Sequence, residues 1–400
     1  MHEFKEIFSS KKDLGLLLLL LLMEFTRGAF FLTFLPLYAV NYLGISVAAA
    51  GLVVSVHYLV ETVFKGTAGW QLDRRGYPIL VLGLLLGMAA LLVMKSYQTV
   101  PVLIAGSALF GLGASPVWLA VISGVAPVQL KGRAARMGIV FSVWLIGGGS
   151  GPVLINFFIA HDYNLAYWLM ISLWGVALAV ALTLIPVKEG KAGGASSFSF
   201  WKEVSNMAQN PALGKILLPG MFFQTMAGGL LLPLLPIYAQ DKLGFNPNQY
   251  AFLLLAGGAA AVLSFLPMGR LADRLRLKLL LGAGFGMSAL SLVLFSTARS
   301  TPSAFLLAAL VGFSYAIVLP AWNNLLAKII SPDRQATGWG VFATIEGMGI
   351  ATGPALGGIV AKTYGITATL FFSAGILAVL SCFYFLYPVE KFFETRDRAH

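Results

Sequence analysis

Cysteine occurs once in 400 residues, at Cys382. A lone thiol excludes an intrachain disulfide, and with four histidines scattered along the chain no metal cluster is expected. Charged side chains are equally scarce, at 11% of residues, with only 16 acids against 27 bases. No phosphate-cradling glycine loop, metal-ligand spacing or nucleophile elbow appears, and the connections between apolar stretches are short. An enzyme is therefore not expected, nor is a cofactor. Hydrophobic residues fill the space that charges leave, at 58% of the chain, and the mean hydropathy of +0.84 lies outside the range of soluble globular domains. The solvent of this chain is lipid.

Apolar windows of about 20 residues, the length that crosses a bilayer as helix, give twelve expected spans: 14–38, 48–70, 78–97, 101–126, 136–160, 165–186, 213–238, 249–269, 278–298, 302–329, 336–361 and 366–388. The leucine run 16–22 follows lysines as a secretory leader would. Glu24 and Arg27 come next instead of a small-residue cleavage site, so the run is read as the first span. The fold class is an all-α membrane protein of two six-helix halves, because the chain repeats itself. Leu35-Pro36-Leu37-Tyr38-Ala39 with Leu43-Gly44 returns 200 residues later as Leu235-Pro236-Ile237-Tyr238-Ala239 with Leu243-Gly244. Gly69, Asp73 and Arg74 return as Gly269, Asp273 and Arg274, and Gly151-Pro152 as Gly353-Pro354. Parallel repeats in so apolar a chain are expected to face each other across a central cavity, as in many secondary transporters. The halves are expected at 1–186 and 213–400, joined by a cytoplasmic linker over 187–212. Within that linker Phe198-Ser199-Phe200-Trp201-Lys202 has the pattern of an interfacial amphipathic helix, a flexible tether being the equal alternative.

The net charge of +11 would suit a nucleic-acid partner if it were clustered, but its distribution is topological. With the N-terminus placed in the cytoplasm, 21 of the 27 lysines and arginines fall on that side. Lys95, Lys242, Arg299 and Lys362 fall outside, and Arg27 and Lys65 lie within spans. The positive-inside bias thus places both termini in the cytoplasm of a plasma-membrane protein, and no nucleic-acid partner is expected. The expected origin is bacterial and the expected working unit a monomer.

An ionisable group at bilayer depth is a functional candidate by default. Glu24 and Arg27 share a face of the first span, and His57, Glu61 and Lys65 form a stripe at intervals of four down the second. The C-terminal half carries Glu346, with the amides Asn323 and Asn324. A cavity polar on one side and apolar on the other suits an amphiphilic cargo. The competing explanation is that the charges merely neutralise one another. Trp118 and Trp144 sit near mid-membrane, and Pro116-Val117-Trp118 is matched by Pro320-Ala321-Trp322. Indole rings stack on sugar faces and offer a donor, although core packing is their commoner use.

Gly69-Trp70-Gln71-Leu72-Asp73-Arg74-Arg75-Gly76 and Gly269-Arg270-Leu271-Ala272-Asp273-Arg274 are expected in short cytoplasmic loops between the second and third span of each half. They resemble the signature loop of the major facilitator superfamily, which implies gating. The second copy departs from it with Leu275-Arg276. Gly349 to Gly358, including Gly353, Pro354 and Gly357, and the partial copy Gly147 to Gly151-Pro152 are similar to that superfamily's antiporter motif. Span five lacks the trailing glycine pair. Physically, small residues let helices pack closely and proline bends them.

A nearer resemblance runs along nearly the whole chain. Leu22-Met23-Glu24-Phe25-Thr26-Arg27-Gly28, Ser55 to Glu61, Ser115-Pro116-Val117-Trp118, Leu319-Pro320-Ala321-Trp322-Asn323 and Trp339-Gly340-Val341-Phe342 resemble the LtaA-type glycolipid flippases of lipoteichoic acid synthesis. The resemblance implies proton-coupled movement of a diglucosyl-diacylglycerol anchor from the inner to the outer leaflet. It also makes Glu24, Arg27, Glu61, Trp118 and Trp144 headgroup or proton residues. Two departures are visible: Glu61 stands where that family has Asp, and Glu346 where its position is uncharged. The expected proton-coupling groups are Glu24, His57, Glu61 and Glu346. The expected substrate contacts are Glu24, Arg27, Glu61, Lys65, Trp118, Trp144, Trp322 and Asn323. The expected partners are protons and a membrane lipid or other amphiphile. A drug or metabolite antiporter of the same fold is the alternative, and a non-transporting receptor is a more distant one.

Overall fold

The computed structural model describes residues 10–127, 133–185, 218–272, 274–329 and 335–387. The linker 187–212 with its expected amphipathic segment, Asp273, both chain ends, and the side chains of Asp73 and of Trp339 to Val341 lie outside the described residues. The elements are helices: α1 (Lys11–Tyr42), α2 (Val47–Arg75), α3 (Pro78–Ser96), α4 (Val100–Val125), α5 (Arg133–Ile159), α6 (Tyr163–Leu184), α7 (Gly220–Asp241), α8 (Pro247–Ala272), α9 (Leu277–Phe295), α10 (Thr301–Ile329), α11 (Gln335–Tyr364) and α12 (Ile366–Leu386). Eleven of them are long and apolar enough to cross a membrane by length and composition, where twelve spans are expected. The exception is α11, thirty residues long, whose apolar content is diluted by Glu346 and a series of glycines.

The chain divides into two compact units, Met1–Phe198 and Ser199–His400. Within the first, α1 packs on α5 and α6, α2 on α4, and α3 on α4 and α6; within the second, α7 packs on α11 and α12, α8 on α10, and α9 on α10 and α12. The internal repeat is therefore a repeat of packing. It extends to single backbone bonds. In the first unit α1 ends with Leu43 N–H donating to the Tyr38 carbonyl and Ile45 N–H to that of Ala39. In the second, Phe245 N–H donates to the Ala239 carbonyl in the same register, while the bond to Tyr238 comes from Lys242, one position earlier than its counterpart. Gly44 and Gly244 make both turns possible, at φ of 67° and 66°, in the left-handed region that costs any other residue. Ser46 then caps α2 through Ala49 N–H at 3.3 Å. Asn246 and Gln249 close a reciprocal box at the start of α8, at 2.9 and 3.0 Å.

α1 runs well beyond the expected 38 because it widens into π-helical turns over Ala29–Phe34 and Tyr38–Tyr42. Pro36 lies between the two stretches, has no N–H to donate and crowds the preceding turn. Glycines decide which helices touch. A side chain at Gly147 would meet the Leu21 carbonyl and Glu24, and one at Gly151 the Phe25 carbonyl. One at Gly353 would meet Gly229 and one at Gly357 the Leu230 carbonyl. The Gly-Pro motif thus seats α5 on α1 and α11 on α7. α5 continues through Pro152, whose carbonyl accepts from Asn156 Nδ2 at 2.6 Å.

One expectation needs correction. Gly69 to Arg75 is not a loop: it forms the last turns of α2, which stops at Gly76 with φ of 72°. No proline precedes Gly76 in α2, and its earlier glycines keep helical backbone, so the apolar span and its basic end are continuous. In the second copy Gly269 is likewise helical, and Arg274 follows α8 in a turn. Arg74 is exposed and lies 5.4 Å from the centre of the Trp70 ring.

Candidate functional site

The polar residues expected on the first two spans meet within the N-terminal unit. Arg27 lies one turn after Glu24 on α1, and its guanidinium grips one oxygen of that carboxylate, Oε2, at 2.5 Å from Nη2 and 3.1 Å from Nε. Its third nitrogen, Nη1, crosses to α2 and donates to Glu61 Oε2 at 2.9 Å. Glu61 Oε1 is taken by Lys65 Nζ, one turn further along α2, at 3.0 Å. Two carboxylates are thereby matched by two cations, and both oxygens of Glu61 are engaged. Glu24 and Glu61 are buried, at 4% and 7% exposure, whereas the Lys65 side chain keeps 31%. Charge neutrality and hydrogen-bond saturation together make this burial tolerable.

The walls are aromatic and glycine. Tyr58, which sequence reasoning missed as a site residue, faces Arg27 with its ring centre 5.8 Å from the guanidinium carbon. Its position three residues before Glu61 on the same stripe was the available signal. Gly111 of α4 lets that helix lie against the backbone of His57 and Glu61, and Gly147 brings α5 against Glu24. One turn before Gly147, Trp144 meets Trp118 edge to face at 6.2 Å, and Phe141 lies 5.2 Å from Trp118. Both indoles are half-buried. Trp144 thus stands one helical turn along α5 from the glycine that packs against Glu24.

His57 is placed differently from its neighbours in the stripe. It is fully buried, stacked on Phe31 at 3.8 Å and bordered edgewise by Phe110 and Tyr58. Neither ring nitrogen makes a hydrogen bond, and Nε2 stands 3.6 Å from Glu61. With aromatic rings on its faces and its nearest acceptor, Glu61, 3.6 Å from Nε2, His57 sits as a packed core side chain does, although proton exchange is the role expected of it. Its alternation with Glu61 and Lys65 could not distinguish the two, since the stripe fixes a face and not what covers it.

The expected residues of the C-terminal half do not form a matching cluster. Trp322 is wholly buried in a core with Met221, Phe285, Phe342 and Tyr384, so no ring face is open for cargo, and the equivalence with Trp118 stops at sequence. Its indole Nε1–H reaches Glu346 Oε1 at 3.4 Å. Asn323 is exposed, and Asn324 Nδ2 donates to the Ala272 carbonyl at 3.2 Å. An ion pair that the sequence did not signal joins Asp13 to Arg136 at 3.1 Å. Both residues are buried, and Arg136 also donates to the Val125 carbonyl at 3.1 Å. Arg136 lies in the first turn of α5.

Two repeated units with twelve helices among the described residues, and a neutralised ion cluster inside the apolar spans, have the construction of a membrane carrier. Sequence comparison agrees: the pattern of the Major Facilitator Superfamily matches residues 16–214 and 217–400. The chain belongs to that superfamily of multi-pass membrane transporters. Among its relatives is a protein of Staphylococcus haemolyticus named proton-coupled antiporter flippase LtaA, 30% identical over 392 residues and 95% of both chains. Proteins of the same name from Staphylococcus saprophyticus and Staphylococcus aureus (strain MSSA476) are each 29% identical, over 96% and 97% of both chains respectively. Among solved structures, the nucleoside transporter NupG superposes with a TM-score of 0.74 at 16% identity, covering 93% of this chain and 98% of that one. A POT family transporter superposes with a TM-score of 0.70 at 14% identity, covering 92% of this chain and 94% of that one. These two likenesses concern the fold alone.

Proposed function

We propose that this chain is a proton-coupled flippase that carries a glycolipid of the diglucosyl-diacylglycerol type, a lipoteichoic acid anchor, from the inner to the outer leaflet by alternating access. The observation that carries the reading is Arg27 bridging Glu24 and Glu61 from two helices at bilayer depth. The near full-length similarity to relatives named as proton-coupled flippases supports it. A sugar hydroxyl can donate to the ionised carboxylate of Glu24 or Glu61, and a proton that neutralises either one removes that anionic acceptor and loosens its hold on the Arg27 guanidinium. Proton and headgroup compete for the same cluster, which is the requirement for antiport. Trp118 and Trp144 supply ring faces beside it for the sugar. Each proton moving inward down the potential yields about 2.3 kcal/mol per 100 mV, enough to bias a two-state carrier. Both termini lie on the cytoplasmic side, and the two six-helix halves flank the cytoplasmic linker 187–212.

The test is transbilayer movement of a fluorescent diglucosyl-diacylglycerol in proteoliposomes of the full chain, with and without an imposed pH gradient. Gradient-sensitive movement above that of empty liposomes is the expected result. Failure to move that lipid, together with gradient-driven movement of a soluble dye, would replace the flippase with a drug or metabolite antiporter. Glu61→Gln is expected to stay folded and lose the dependence on the gradient.

A further inference from the structure

The N-terminal unit matches its two buried carboxylates with Arg27 and Lys65, whereas among the described residues of the C-terminal unit Glu346 has no counter-cation. Among the described residues, no lysine, arginine or histidine forms an ion pair with Glu346. Its polar neighbour is the Trp322 indole, a neutral donor at 3.4 Å, long for a hydrogen bond. The elements around it offer little else that is charged. Tyr315, on the same helix as Trp322, is within electrostatic reach, and α10 ends near Lys328, whose side chain lies outside the described residues. Tyr384 of α12 stands behind Trp322, edge to face at 6.1 Å, and Cys382 of the same helix is exposed. α7, packed against α11, carries no ionisable residue from Leu218 to Leu231.

A carboxylate in an apolar span is tolerable when a cation pairs with it, when strong donors surround it, or when a proton removes its charge. Among the described residues the first two are not found around Glu346, and the third leaves the Trp322 bond intact, because the indole can donate to the carbonyl oxygen of the acid. We propose that Glu346 is a second proton-binding site of the transport cycle, housed in the C-terminal unit and separate from the Arg27 cluster. The carboxylate takes a proton from water to become a neutral acid, and returns it to water as the carboxylate. The N-terminal cluster exchanges a proton against its own guanidinium, whereas Glu346 exchanges one without a competing cation. Its occupancy therefore follows the pH of the side to which it opens and not the presence of cargo. A cycle with this site moves one more proton than the cluster alone would move.

The proposal rests on the proton-coupled reading, and its test reads protonation directly rather than transport. Infrared difference spectra of the reconstituted full chain, recorded between neutral and acid pH, resolve the carbonyl stretch of protonated carboxyl groups. Glu346→Gln is expected to lose one such band that Glu24→Gln and Glu61→Gln keep, with the band unaffected by added glycolipid. Trp322→Phe removes the donor that favours the anion, so the same band is expected to appear at higher pH. An unchanged band set in Glu346→Gln would overturn the proposal. Should that variant not fold, an unshifted band in Trp322→Phe would overturn it equally. A parent chain that shows the Glu346 band yet moves no lipid under a gradient would refute the flippase and leave the proton site standing.

Discussion

Replacing Arg27 by methionine keeps most of the side chain's volume and removes its charge, which isolates the electrostatic part of the cluster. At 2.9 Å from Glu61 and an effective dielectric near 20, one guanidinium–carboxylate contact supplies about 6 kcal/mol of attraction. Dehydrating the ions consumes much of that, so the intact pair contributes little net stability. Removing one partner is another matter, because the dehydration remains and the attraction is lost. Glu24 would keep no cation, while Glu61 would keep Lys65 at 3.0 Å. The expected cost of Arg27→Met is about 3–5 kcal/mol, measured as equilibrium unfolding by a denaturing detergent in mixed micelles. Adding Glu24→Gln removes the stranded carboxylate and restores neutrality between Glu61 and Lys65. The double variant is expected to recover about 1–3 kcal/mol relative to additivity. A cost below about 1 kcal/mol for Arg27→Met, with additive effects in the double variant, would refute the account of a coupled, dehydrated cluster. A full recovery of stability without recovery of lipid movement would separate the two roles of Arg27, since the proposed transport also needs its charge to set the proton affinity of the carboxylates.

Other substitutions test the packing and the repeat. Gly44→Ala and Gly244→Ala each force a left-handed backbone on a side chain with open space around it; each is expected to cost about 1 kcal/mol in the same unfolding measurement, with the two values agreeing. Gly151→Ala drives a methyl into the Phe25 carbonyl and is expected to cost about 1–3 kcal/mol, whereas Gly149→Ala, with no neighbour in the way, is expected to be neutral or stabilising. Trp174→Phe removes the donor to the Leu84 carbonyl at 2.8 Å and is expected to lose about 1–3 kcal/mol. Trp118→Ala is expected to slow lipid movement far more than it lowers stability, because its ring is only half-buried.

The architecture was readable because its determinants are local or periodic. Twenty apolar residues make a span wherever they occur, and the copies of Leu-Pro-x-Tyr-Ala followed by Leu-Gly announce that two turns are built alike. The stripes on α1 and α2 were readable for the same reason, since intervals of three and four residues put side chains on one helix face. Their partners were not. That Arg27 reaches Glu61 rather than a residue of another span depends on how α1 crosses α2. That His57 is sealed depends on Phe31 and Phe110 arriving from two other helices. Periodicity is silent about both. The equation of Trp322 with Trp118 failed on the same ground, because a repeated tripeptide fixes backbone equivalence but not what packs over the ring.

The glycines join what was readable to what was not. Gly111 lets α4 close on the turn between His57 and Glu61, and Gly147 and Gly151 let α5 close on the turn of Glu24 and on Phe25. As a motif they suggested antiport; as atoms they hold the walls of an ion cluster tightly enough to exclude larger side chains. Close walls keep the dielectric around the cluster low, and a low dielectric makes the removal of any one charge expensive. On the proposed mechanism a proton arriving at Glu24 or Glu61 removes a charge in this sense, and the cluster is expected to rearrange rather than tolerate the change. In that proposal the packing motif and the polar stripe serve one mechanism: the first sets how sharply the second responds to a proton.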